Sequence, residues 1–265
     1  MPGDVFRKTL KEDNVSWCAG LDFKASADVV LYANVSRGYK AGSFPGLAAV
    51  NFTALQPVTQ KSVTAYEAGF KASLADRKIQ INGAGFYYDY MDKQIRGKLL
   101  DPIFGILDVL QSVPKSHIYG LEADVTVRPT AGLTLSGSLT YLNSKIIRYT
   151  SVNVLGLTNN FGASGEALPF RPKFSYGFNA DYEFETGNGG KPFVGMTVAG
   201  RSSSDAAPGD SRIIYPASPR TRVLPGITYI YKLPSYATVD ARLGYEANDG
   251  QWRVMVWAKN VFNTY

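Results

Sequence analysis

From Ser116 to Lys145 the chain reads SHIYGLEADVTVRPTAGLTLSGSLTYLNSK, and this stretch narrows the choice of fold more than any other. Tyr119, Leu121, Ala123, Val125 and Val127 alternate with Gly120, Glu122, Asp124, Thr126 and Arg128. After Pro129-Thr130-Ala131-Gly132, the residues Leu133, Leu135, Gly137, Leu139 and Tyr141 alternate with Thr134, Ser136, Ser138 and Thr140. Successive side chains of a strand point to opposite faces, so a period of two predicts two strands. Proline and glycine at the ends of the break predict a tight turn between them. Each arm holds about a dozen residues, whereas strands of soluble domains mostly run to about five or six. Long strands with one apolar and one polar face suit a wall between lipid and a wet interior.

The same period recurs along the chain. Strands are predicted at about 16–24, 29–40, 62–74 and 78–96, then in the two arms above, then at 174–184, 191–203, 235–247 and 251–262. In the tyrosine-rich strand the faces stay open, because Phe86, Tyr87 and Tyr88 occupy both. Short turns fall at 25–28, 75–77, 129–132, 186–190 and 248–250, and long connections at 41–61, 97–114, 148–171 and 204–234. The fold class is therefore all-β, an antiparallel up-and-down meander of about ten long strands. Alternate connections of a meander lie at the same end, so one end carries only tight turns and the other only large loops. Outer-membrane barrels segregate loop length in this way, and soluble sandwiches and propellers do not.

Composition agrees by exclusion. No window approaches the roughly 18 apolar residues of a membrane helix, which leaves strands as the way across a bilayer. The net charge of +6 comes from lysines and arginines scattered without a dense block, the pattern of a charged surface and not of a nucleic-acid binder. Cys18 is the single cysteine, which excludes an intramolecular disulfide and fits a reducing compartment or an envelope protein that uses none. The first residues, MPGDVFRK, contain no apolar signal-peptide core, so the expectation is either a cytosolic protein or an internal piece of a longer chain.

Seven segments in order carry a family likeness: VSRGYKAG (35–42), VTAYEAGFKASL (63–74), FYYDYMDKQI (86–95), YGLEADVTVRPTAGLTLSGSLTYLNSK (119–145), LPFRPKFSYGFNADYEF (168–184), SYATVDARLGYE (235–246) and WRVMVWAKNVFNTY (252–265). Together they resemble the C-terminal part of the barrel of TonB-dependent outer-membrane receptors. The resemblance implies a barrel of about 22 strands around a plug domain. It also implies the outer membrane of a Gram-negative-type envelope, lipid as surroundings, and import of a scarce ligand, most often a ferric siderophore. Energy comes from the TonB complex acting through the plug. Against that pattern, residues 1–265 are expected to be a partial transmembrane barrel domain without plug, TonB box or final strand.

Covalent chemistry finds little support. His117 is the only histidine, no Cys/His cluster of metal-binding spacing exists, and Gly162-Ala163-Ser164-Gly165 is a partial echo of a nucleophile elbow. The expectation is no enzyme, no metal and no cofactor. An outer-membrane barrel hydrolase and a porin-like diffusion channel are the alternatives. Glu67, Glu122, Asp124, Asp181, Glu183 and Asp240 share a predicted face with Lys71, Arg128, Arg242, Arg253 and Lys259, which reads as a hydrated lumen wall. Ligand capture is expected in the loops. Arginine suits anionic chelates and aromatic rings suit catecholate or sugar rings, so the candidates are Arg148, Tyr149, Phe161, Arg171, Arg212, Tyr215, Arg220 and Arg222.

Overall fold

The computed structural model describes residues 7–44, 55–101, 105–149, 164–206, 214–215, 226–227, 232–248 and 250–264. Eight long strands follow one another: β1 (Trp17–Lys24), β2 (Val29–Lys40), β3 (Lys61–Leu74), β4 (Ile79–Asp101), β5 (Gly105–Val127), β6 (Leu133–Arg148), β7 (Phe174–Glu183) and β8 (Lys191–Arg201). An excursion follows, carrying β9 (Ser204–Asp205), β10 (Ile214–Tyr215), β11 (Gly226–Ile227) and β12 (Lys232–Leu233). There β9 pairs with β12 and β10 with β11, so the excursion folds back on itself as a nested hairpin. The chain then adds β13 (Tyr236–Glu246) and β14 (Arg253–Ala258). The ten long strands form one antiparallel sheet in the order β1 to β8, β13, β14, the expected up-and-down meander.

The register places like residues side by side. Phe70, Gly83, Ala123, Leu139 and Tyr176 are in line across β3 to β7, and the large side chains among them are exposed. One step along β3, Lys71, Asn82, Asp124 and Ser138 are in line on the opposite face, with Asn82 Nδ2 donating to Asp124 Oδ2 at 2.8 Å. The alternation read in the sequence is thus a division of the whole sheet into an apolar and a polar face. It also settles the tyrosine-rich strand. Tyr87 lines up with Tyr66 and Tyr119 on the apolar face, while Phe86 and Tyr88 stack at 4.9 Å on the polar one.

At the turn end the sheet is closed by the predicted short connections. Gly132 adopts φ 78°, a left-handed conformation that favours glycine, and its carbonyl accepts the Glu183 N–H at 2.9 Å. On the polar face, Arg242 donates from Nε and Nη2 to Asp181 Oδ1, from Nη1 to Thr197 Oγ1 and from Nη2 to Asn179 Oδ1. A concavity of about 830 Å³ opens beside this network, with Lys78, Arg128, Glu183 and Arg253 among its lining.

The loop end departs from the sequence reading in one place. The long connection expected at 97–114 is instead a continuation of the hairpin. Strands β4 and β5 are each 23 residues long and pair as far as Asp101 with Gly105. At the bounds of that expected connection, Gly97 pairs with Val109, and Pro114 stands opposite Asp92 where the ladder skips a pair. Three adjacent strands are irregular at this height. Asp92 has φ 52°, Pro114 lacks an N–H, and β6 carries an extra residue, because Ser116 pairs with Ile146 but Lys115 with Arg148. Beyond this line the faces exchange. Lys93, Ile95 and Val113 would fall on the apolar face by strict alternation, yet they are buried, the last two in one cluster with Ile118, Ile146, Tyr149 and Leu168.

That cluster is a small core on the polar side of the sheet, built where the loop after β6 folds back. Leu168, 1% exposed, is seated there, its N–H donating to Ser144 Oγ at 3.0 Å. The Ile146 N–H donates to Glu166 O and the Gly165 N–H to Ile146 O. A second clip joins the segment before β1 to the β2–β3 connection. The Glu12 carboxylate accepts the N–H groups of Gly42 and Gln60, each at 2.7 Å, and Gln94 Nε2 donates to the carbonyls of Ala41 and Thr59.

Candidate functional site

The exchange of faces at Asp92 brings the site together. Tyr90 is on the polar face, packed against the small core. With the chain turned over at Asp92, the Lys93 ammonium comes to 3.9 Å from the centre of the Tyr90 ring, and Lys61, at the start of β3, reaches 5.7 Å from the same ring. Both are cation–π contacts, in which the negative face of the ring attracts the ammonium. Arg171 arrives from the loop after β6. Its neighbour Phe170 is fixed by an N–H donated to Asp205 O at 2.7 Å, and Lys173 O accepts the Leu142 N–H at 2.8 Å.

Two ammonium groups thus contact one tyrosine ring, and Arg171 is near enough for its charge to act on all three side chains. Burial first, and then the charges of Lys61 and Arg171, together push the Lys93 ammonium down to about 8. Lys61 is lowered by burial first, then by Lys40 and Arg171. No described carboxylate forms an ion pair with Lys61, Lys93 or Arg171. Positive charge taken out of water is costly in a folded protein unless it is paired, and an anionic ligand would neutralise it. Farther along the same end, Arg201 lies 4.9 Å from the Tyr236 ring, with its Nε buried and unpartnered.

Of the eight residues expected from the sequence, Arg171 is in this cluster, exposed, with Nη1 donating to Phe170 O at 3.1 Å. Tyr149 is adjacent but sits in the small core, where burial pushes its hydroxyl up to about 12. Arg148 is not brought to the cluster. It pairs with Lys115 across β5 and β6, and it is exposed while Ile146 and Tyr149 on either side are buried. Tyr215 lies in β10, of which the backbone alone is described, and Phe161, Arg212, Arg220 and Arg222 lie outside the described residues. The sequence reading missed Lys61, Tyr90 and Lys93. Strict alternation places Lys93 on the apolar face, and only the left-handed Asp92 reverses it.

Known proteins agree with this fold. The family model described as "TonB dependent receptor-like, beta-barrel" matches residues 3–261. Among solved structures, the ferric yersiniabactin uptake receptor FyuA from Yersinia pestis is similar at 19% identity and a TM-score of 0.63, over 94% of this chain and 32% of its own. BauA, the ferric preacinetobactin receptor from Acinetobacter baumannii, is similar at 17% identity and a TM-score of 0.62, over 97% of this chain and 34% of its own. The copper transporter OprC is similar at 14% identity and a TM-score of 0.63, over 92% of this chain and 33% of its own. The chain thus spans about a third of the length of these structures. With the family model covering nearly all of it, the chain belongs to the TonB-dependent receptor β-barrel family.

Proposed function

We propose that this chain is a sector of an outer-membrane receptor barrel and that its loop-end cluster takes up an anionic chelate, a ferric siderophore being the foremost candidate. The apolar face meets lipid, the polar face lines the lumen, and the large loops face the outside. Tyr66, Tyr87 and Tyr119 then mark the outer interface, where an amphipathic ring meets headgroups. Uptake proceeds by binding and by TonB-driven movement of a plug, with no covalent step.

The observation that carries this reading is the set Lys61, Lys93 and Arg171 around Tyr90, on the lumen face and without a described carboxylate. A polyanionic iron chelate offers charge to all three and a flat ring to the tyrosine. The FyuA and BauA neighbours bear names that specify ferric chelates, which supports the choice among cargoes.

The test is a titration of the detergent-folded chain with a trianionic ferric tris-catecholate, followed by quenching of tryptophan fluorescence. Binding that weakens at least tenfold in K61Q/K93Q and declines with added salt is the expected result. Equal affinity in the wild type and this variant overturns the assignment of the cluster.

A further inference from the structure

The same register that defines the apolar face also defines where it stops. Tyr66, Tyr87, Tyr119 and Asn143 stand in line across β3 to β6. One step toward the loop end the line is Arg37, Thr64, Asp89, His117 and Lys145. One step further it is Tyr39, Ser62, Met91, Lys115 and Arg148. All three lines lie on the face that carries Phe70, Leu121 and Leu139 below. The face therefore changes from hydrocarbon to aromatic to cationic within three steps of about 7 Å each.

The cations are concentrated on β5 and β6. His117 pairs with Lys145, and Lys115 pairs with Arg148, so these four side chains are immediate neighbours. The extra residue in β6 is what carries Arg148 there. Ile147 and Arg148 are both exposed between the buried Ile146 and Tyr149. His117 is held from below by the aromatic line, its ring centre 5.7 Å from that of Tyr87 and 5.9 Å from that of Tyr119. Lys115, Lys145 and Arg148 form no ion pair with a described residue. Asp89, the one carboxylate in these lines, is beside His117 and has a buried Oδ1 without a hydrogen-bond partner.

We infer that Lys115, Lys145 and Arg148, with His117 beneath them, bind the phosphate of an anionic membrane lipid on the outside of the barrel wall. The inference rests on the membrane reading above, which puts the aromatic line at the interface. Headgroup phosphates lie just beyond such a line, on the side away from hydrocarbon, which is where these cations are placed. Arginine and lysine together suit this ligand, the fork for two phosphate oxygens and the ammonium as a point charge. This site faces away from the Lys61–Lys93–Arg171 cluster, on the other side of the sheet.

The test is native mass spectrometry of the detergent-folded full chain with added phosphatidylglycerol or phosphatidylcholine. The wild type is expected to retain phosphatidylglycerol preferentially. In K115Q/K145Q/R148Q the half-saturating concentration rises about a hundredfold, roughly fivefold for each cation removed, with phosphatidylcholine unaffected. The variant K78Q/R128Q, altered at the turn end, is expected to bind as the wild type does. If the triple variant does not fold, K145Q and R148Q singly each weaken binding about fivefold. A folded wild type without preference for the anionic lipid, or a folded variant that keeps it, overturns the inference while the membrane reading stands. A chain that takes up neither detergent nor lipid overturns both.

Discussion

The Lys93 ammonium rests 3.9 Å from the centre of the Tyr90 ring, turned toward it by a left-handed aspartate one residue before. Its pKa is lowered from 10.5 to about 8, so the folded state holds this proton less tightly than the unfolded chain. The destabilisation is complete below pH 8 and is relieved as pH rises from about 8 to 10.5. K93M is expected to raise stability at pH 7 by about 1–3 kcal/mol and to flatten the rise between pH 8 and 10.5. Urea unfolding in detergent at pH 7 and pH 10 checks both. Anion affinity is expected to move the other way, falling in the wild type as pH passes 8 and lower at pH 7 in K93M than in the wild type.

Leu168 fastens the loop that delivers Arg171. Truncation to alanine empties a fully buried position, a change that typically costs about 2–5 kcal/mol. The loss is expected to be local, because Leu168 packs on the small core and not on the rest of the wall. Hydrogen exchange reads it directly. The amides of Ile146 and Gly165, which bond across this loop, lose protection in L168A, while those of β7 and β8 keep theirs.

Arg242 and Asp181 couple across the polar face, with side chains 26% and 40% exposed. At that exposure the ion pair is screened, and a double-mutant cycle between R242M and D181N is expected to give a coupling of about 1 kcal/mol. R242M alone costs more than D181N alone, because the guanidinium also donates to Thr197 and Asn179. Midpoints of urea unfolding for the four proteins supply the numbers.

The apolar face makes the membrane reading testable. Leu139 stands in the line Phe70–Gly83–Ala123–Leu139–Tyr176, midway between the turn end and the tyrosine line. L139R is expected to destabilise the bilayer-folded chain by about 2–4 kcal/mol, the cost of arginine on a lipid face near the midplane. S138R, one residue away on the polar face, is expected to cost far less. Equal losses at the two positions contradict a lipid-facing role for Leu139.

The wall was legible in the sequence and the site mostly was not, for one physical reason. A strand with one apolar face repeats every two residues, so Phe174 to Tyr182 could be assigned to a face by inspection, and the register bears that assignment out. The turn at Pro129–Gly132 was equally plain, since glycine and proline have few other uses there. The Lys61–Lys93–Arg171 cluster depends instead on a reversal at Asp92 and on a loop returning from beyond β6. Neither leaves a periodic trace. A long connection was even expected at 97–114, where β4 and β5 stay paired.

The line through Asp92, Pro114 and Ile147 has a consequence for how such a chain can change in length. Below it, deleting one residue from β4 would turn every following side chain in the band to the wrong medium, so lengths there are effectively frozen. Above it, the two-residue rule has already been broken once and the strands answer only to each other. A paired insertion in β4 and β5 beyond Asp92 lengthens the hairpin without disturbing the wall. Related chains can therefore rebuild the loop-end reach of this hairpin while inheriting the rest of the sheet intact.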